Sequence, residues 1–205
     1  MGAEERPRFF RWYRTLPIVA MILVCIFTFA IDGFVALAPA PMVRSTFYPV
    51  EYSAFIQSES QKYGVDPYLV CAVIKCESNW QADANSAAGA VGLMQLMPST
   101  AQEMVRQGMV DADQYDYQKL TDPTTNMEFG IAYLGYLQQH LGSTDEVIAA
   151  YNAGLGSVSG WQSSGGDISS NITYAETANY LVRVNEAYGH YKDLYPMGIT
   201  TNAKS

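Results

Sequence analysis

An all-α domain of five to seven helices, preceded by an N-terminal transmembrane helix, is the fold class this sequence predicts. Three observations predict it. Helix start and stop signals recur along the chain from residue 53 onward. No sustained apolar–polar alternation marks a strand, and no repeat of solenoid period is present. One uncharged, almost wholly apolar stretch runs from Leu16 to Ile31 and resumes after Gly33 as far as Ala38. It reaches the ~20 residues that cross a bilayer.

The elements follow in order. Residues 1–15 form a basic tail carrying Arg6, Arg8, Arg11 and Arg14, and no comparable cluster follows the apolar stretch. Positive charge stays inside, so the tail is expected in the cytoplasm, with 16–38 as a signal-anchor and the rest of the chain exported to the outer side of the membrane. The rival reading is a cleaved signal peptide, since Ala36-Leu37-Ala38 has the pattern of a cleavage site. Pro39 would follow that cut, and Pro41 would follow the alternative cut after Ala40. Proline is poorly accepted there, which favours the uncleaved anchor. Residues 39–50 read as a Pro-containing tether. The roughly fifteen residues from Ala38 to Ser53, fully extended, span at most on the order of 50 Å.

A folded domain is expected over 51–195, followed by a tail over 196–205. Its first helix covers 53–63 and stops at Gly64. Asp66-Pro67 is an N-cap followed by proline at the first helical position, and that helix runs to Glu77. A loop rich in Ala, Gly, Asn and Ser covers 82–92. A helix runs from near Pro98 to near Gly108. Asp122-Pro123 repeats the start signal for a helix to Leu141, with Gly142 as its stop. Thr144 is read as the cap of the next helix. A Gly/Ser loop is expected over 154–170, then a last helix from Tyr174 to Tyr191.

Composition narrows the function. The chain has 12 Lys+Arg against 20 Asp+Glu. So acidic a domain has no basic stripe to track phosphates, which excludes nucleic acid as a partner. It suits a neutral or mixed-charge polymer held by hydrogen bonds and stacking. The three cysteines and two histidines show no metal-ligand spacing, so no metal is expected. Cys71 and Cys76, on one helix, point in different directions and read as free thiols.

The helix before Glu77 contains Leu69, Val70, Cys71, Ala72, Val73 and Ile74. A helix apolar nearly all round is a core helix, and it delivers a carboxylate at its C-terminal end. Burial and the negative end of the helix dipole both raise that carboxylate's pKa. A glutamic acid protonated near neutral pH is what glycoside cleavage asks of a general acid.

Residues 77–101 read ESNWQADANSAAGAVGLMQLMPSTA. Further on come DPTTN (122–126) with GIAYL (130–134), then AAYNAGLGSV (149–158) and YAETANYLVRV (174–184). These segments, in this order, resemble the four motifs of the soluble lytic transglycosylase (SLT) family, whose catalytic domain is similar to goose-type lysozyme. The resemblance covers roughly residues 50–192. It departs from the family where Pro and Arg are common, at Thr173 and Ala178.

The resemblance implies a lysozyme-like helical fold with Glu77 as catalytic acid/base. It implies that Ser86 bonds the sugar chain, that Gln95 and Met97 line the cleft beside the acid, and that the Tyr151 hydroxyl points at the reacting centre. Asn152 would be its structural neighbour, and Glu176 a second acidic residue on the far wall. On residue type alone, Ser86 reads equally as a turn residue, Trp80, Met94 and Met97 as core, and Tyr151 as a core tyrosine. Gly89 and Gly92 are expected to let backbone approach a ligand. The implied substrate is the glycan strand of peptidoglycan, cut at the β-1,4 bond between N-acetylmuramic acid and N-acetylglucosamine with a 1,6-anhydro product and no cofactor. A muramidase on the same fold and a non-catalytic glycan-binding module remain the alternatives. No protein partner can be named.

Overall fold

The computed structural model describes residues 16–26, 28, 40–163 and 165–200. The chain divides into two compact units, Met1–Phe47 and Tyr48–Ser205.

In the first unit residues 16–26 are helical, and their large apolar side chains, Leu16, Leu23 and Ile26 among them, are exposed. Among the described residues no helix is long and apolar enough to cross a membrane. Much of the expected span over 16–38, and all of the basic tail over 1–15, lie outside the described residues. The tether differs from expectation. Ala40–Thr46 forms a helix, α1. Pro41 sits in its first turn, where a missing N–H costs nothing, and no further proline interrupts it before Pro49.

The second unit is helical throughout, with two isolated bridges in place of strands, Asn85 with Val91 and Val91 with Leu96. Helix α2 (Ser53–Tyr63) stops at Gly64, whose left-handed φ of 70° lets its N–H reach Ser60 O. Helix α3 (Pro67–Glu77) starts where the Asp66 side chain accepts from Tyr68 N at 2.8 Å. Helix α4 spans Pro98–Arg106. Helix α5 (Pro123–His140) starts where Asp122 accepts from Thr125 N at 2.8 Å.

After it come α6 (Thr144–Ala153), α7 (Leu155–Gln162), α8 (Ile168–Asn171) and α9 (Ala175–Leu194). Helix α9 packs on α3 and α6, α2 packs on α5 and α3, and α5 also meets α4 and α6. The buried side chains of α3, including Leu69, Val70, Val73 and Ile74, lie in this core. Each contributes about 1.5–3 kcal/mol by leaving water, so the end of α3 is firmly placed.

Four boundaries differ from the sequence reading. Helix α5 ends at His140, and Leu141 is extended (φ −125°, ψ 151°), so Gly142 is not its stop. Instead Gly142 N–H donates to Glu146 Oε2 at 2.8 Å. The cap of α6 is Ser143, in a reciprocal box with Glu146, and Thr144 is the first helical residue. The stretch over 154–170 is not a loop but holds α7 and α8, because Val158, Trp161 and Ile168 all reach the core. That adds helices, giving eight in this unit among the described residues. The last helix starts at Ala175 and continues past Tyr191 to Leu194.

Candidate active site

Helix α3 is held between α2 and α9, which is why it can be apolar nearly all round. It ends on Glu77. The next residue, Ser78, turns the chain away at φ −126°. The Ser78 hydroxyl is buried and donates to Leu93 O at 2.7 Å, tying the end of α3 to the loop over 91–97.

The Glu77 carboxyl is half-buried, and the Tyr180 hydroxyl donates to its Oε1 at 2.6 Å. Burial pushes its pKa up to about 7. The Tyr180 hydrogen bond and the Arg183 charge pull the other way, and the Glu176 charge adds to the rise. Burial wins, so near neutral pH a large share of Glu77 carries its proton and can donate it.

Glu77 lines a cavity of about 340 Å³. Ser86, Gln95, Met97, Tyr151, Asn152 and Glu176 line the same cavity, with Thr100 and Tyr133. The structure therefore brings all seven sequence-predicted site residues to one place. Each is held differently. Ser86 Oγ accepts from Ala90 N at 2.9 Å, which closes a turn and leaves the hydroxyl hydrogen to offer a ligand. It is a turn residue and a cleft residue at once. Gln95 sits in the left-handed region at φ 45°. Its side-chain amide donates to Ala84 O and Gly92 O, both at 3.0 Å, so its remaining capacity is as an acceptor. Met97 is exposed on the rim and does not fill the core as residue type alone suggested, whereas Met94 is fully buried.

Tyr151 donates to Met94 O at 2.8 Å, and its ring lies 5.4 Å from that of Tyr133. Burial, with the nearby Glu77 charge, pushes its phenol well above the usual tyrosine range. It stays neutral, with oxygen lone pairs to present. Exposed Asn152 accepts from Thr177 Oγ1 at 2.8 Å, which joins α6 to α9. Glu176 is exposed in the first turn of α9.

Two residues without an assigned role in the sequence reading prove central. One is Tyr180. It lies four residues after Glu176 on the same helix face, but nothing in the sequence pairs it with a carboxyl 103 positions away. The other is Asn126, fully buried on α5. Its Oδ1 accepts from Met94 N at 2.8 Å, and its Nδ2 donates to Val91 O at 2.8 Å and Leu120 O at 2.9 Å. Asn126 also corrects the reading of Gly92. That glycine has φ +79°, and a Cβ there would strike the Asn126 side chain and lie 2.7 Å from Leu120 O. The close approach is to Asn126, not to a ligand. Gly89 (φ +92°) stands in open space. Among the described residues no group of three or more His, Cys, Asp or Glu could hold a metal ion.

Residues 54–173 match the family model described as Transglycosylase SLT domain, well over half of the chain. The membrane-bound lytic murein transglycosylase C of Serratia proteamaculans is 33% identical over 169 residues, covering 69% of this chain and 47% of that protein. Two solved structures share the fold. An inactive glutamate-to-glutamine mutant of the lytic transglycosylase Slt from Pseudomonas aeruginosa gives a TM-score of 0.67 at 30% identity, over 74% of this chain and 25% of that one. The 70 kDa soluble lytic transglycosylase of Escherichia coli gives 0.68 at 28% identity, over 75% and 26%. The chain thus spans about half the length of the curated relative and about a quarter of the solved ones.

Proposed function

We propose that this chain, which belongs to the transglycosylase SLT domain family, is a peptidoglycan lytic transglycosylase with Glu77 as its single catalytic acid/base. The observation that carries this reading is the state of Glu77: a half-buried carboxyl in the cleft whose pKa burial raises to about 7. The cleft's other carboxylate, Glu176, is exposed on another helix. One acid/base suits a substrate that supplies its own nucleophile.

Glu77 protonates the oxygen between N-acetylmuramic acid and N-acetylglucosamine. The 2-acetamido group of the muramic sugar stabilises C1 as the bond breaks. Ionised Glu77 then takes the proton of the C6 hydroxyl, whose oxygen bonds to C1. The ring closes as a 1,6-anhydro end and no water is consumed. Tyr151, its hydrogen already committed to Met94 O, accepts from the acetamido N–H. Ser86 donates to the sugar chain and Gln95 accepts from it.

The test uses purified peptidoglycan and mass analysis of the soluble products. Anhydro muramic ends, lighter than reducing ends by one water, are expected. Reducing ends alone would make the protein a muramidase. Glu77→Gln keeps shape but cannot transfer the proton, so it should bind glycan without cutting it. Binding without cleavage by the wild-type chain would leave only a glycan-binding module.

The same reading places residues 16–38 in the cytoplasmic membrane, N-terminus inside, with the SLT domain on the outer side. The exposed apolar side chains over 16–26, the basic tail before them and the membrane-bound relative support it. Recovery of the native protein from the medium, cut near Ala38, would overturn it.

A further inference from the structure

Among the described residues Lys75 and Arg183 form no ion pair. Among the described residues the ion pairs are made by Lys62, Arg106 and Lys119. In a chain of net charge −8, two cations that make no salt bridge and face one concavity run against the overall balance. That concavity has a volume of about 250 Å³ and is lined by Tyr48, Lys75, Cys76, Arg183, Glu186 and Ala187. It shares no lining residue with the glycan cleft, although both are built on α3 and α9.

Its walls are held in place. The Arg183 guanidinium lies 5.8 Å from the Tyr180 ring centroid, which steadies the arginine. Lys75 donates to Asn79 Oδ1 and lies 5.7 Å from the Tyr48 ring. Tyr48 is itself fixed, its ring edge-on to Tyr191 at 5.5 Å and its carbonyl accepting from Tyr195 Oη at 2.8 Å. Burial pushes the Cys76 thiol up, so that wall stays neutral at pH 7. The one anionic group is Glu186, three residues after Arg183 on α9.

We infer that this pocket binds the zwitterionic head of a small amino acid, its carboxylate on Arg183 and Lys75 and its ammonium on Glu186. A plain anion would be repelled by Glu186, whereas a zwitterion uses it. The guanidinium fork matches a carboxylate. The volume falls below the ~300–1,000 Å³ of sites for drug-sized ligands, so the ligand is small. The Tyr48 ring and Ala187 offer apolar surface to a short side chain. Such a head group is presented by a free amino acid, or by a diamino acid whose second amino and carboxyl groups project free from a peptide attached to the polymer. Binding here does not depend on the cleavage reading.

The test titrates the full-length chain, in detergent micelles, with D-alanine, acetate and methylammonium, following the amide NMR signals of Tyr48, Cys76 and Ala187. Saturable shifts with D-alanine are expected, with acetate and methylammonium each about tenfold weaker or worse. Arg183→Gln should weaken D-alanine about tenfold. Lys75→Gln, which leaves the Tyr180 contact alone, should weaken it in the same direction, and Glu186→Gln should erase the preference over acetate. No saturable shift with D-alanine, acetate bound as tightly as D-alanine, or binding indifferent to both Arg183→Gln and Lys75→Gln would each overturn the assignment.

The source is settled with the Glu77→Gln chain and glycan fragments with and without their peptides. Tighter binding of the peptide-bearing fragments, lost in a Glu77→Gln/Arg183→Gln double variant, assigns the site to the polymer's peptide. Equal binding of both fragments assigns it to a free amino acid. Cleavage by Glu77→Gln would defeat the proposed function and leave this site standing.

Discussion

The hydroxyl of Tyr180 sets how far up the pH scale Glu77 keeps its proton. Burial raises the Glu77 pKa and the Tyr180 hydrogen bond, favouring the ionised carboxylate, opposes that rise, leaving the balance at about 7. The protonated form starts the reaction, so the cleavage rate should fall as pH rises through that value. Tyr180→Phe removes the opposing bond, and the alkaline limb of the rate profile should move to higher pH. A limb that stays in place or moves down would show that Tyr180 does not tune the acid. Asn126 acts by another route, since it does not line the cleft. Asn126→Ala leaves Met94 N–H and Leu120 O without a partner, while Val91 O keeps the Leu96 N–H. At about 1–3 kcal/mol for each buried group left unpaired, a loss of at least about 2 kcal/mol is expected. A urea unfolding midpoint close to wild type would contradict it.

At the scale of elements, the cap of α6 matters because that helix carries Tyr151 and Asn152. Ser143→Ala breaks a reciprocal box and should cost about 1 kcal/mol, read as a lower melting temperature with little change in the acid's pH profile. Thr144→Ala, one position along, should cost much less, which separates the true cap from its neighbour. The sequence made α2, α3 and α5 plain because their boundaries are chemical: Gly64, Asp66-Pro67 and Asp122-Pro123 leave few alternatives. It hid α7 and α8 because Gly154, Gly156, Gly160, Gly165 and Gly166 read as punctuation. Whether Val158, Trp161 and Ile168 find a core to enter is a tertiary fact. The site shows the same division. Seven cleft residues could be named from local motifs, whereas the Tyr180–Glu77 pair and the Asn126 brace join distant segments and needed the fold.

At the scale of the whole molecule, the reach of the domain is set by the chain before it. From the proposed membrane anchor, an extended tether would let the cleft sweep on the order of 50 Å. Helix α1 shortens that range, because its seven residues rise ~1.5 Å each where extended chain gives about 3.3–3.6 Å. Replacing Ala40–Thr46 with a flexible Gly/Ser stretch should therefore widen the zone of glycan cleavage around the membrane. The activity of the domain on soluble strands should be unchanged. An unchanged zone would mean that this segment does not govern reach. The chain then enters the domain at a clasp of tyrosines. Tyr195 donates to Tyr48 O, and Tyr191 donates to Pro49 O at 3.0 Å while accepting from Trp80 Nε1 at 2.9 Å. Trp80 lies three residues beyond Glu77. If the proposed anchor and cleavage hold, the protein is under tension whenever it grips a strand, and that clasp is where the load would arrive. The load path runs from Pro49 through one phenol to the turn that follows the acid. Cleavage under applied force should therefore respond to Tyr191→Phe, which severs the path, more than to Tyr195→Phe, which loosens only its outer fastening.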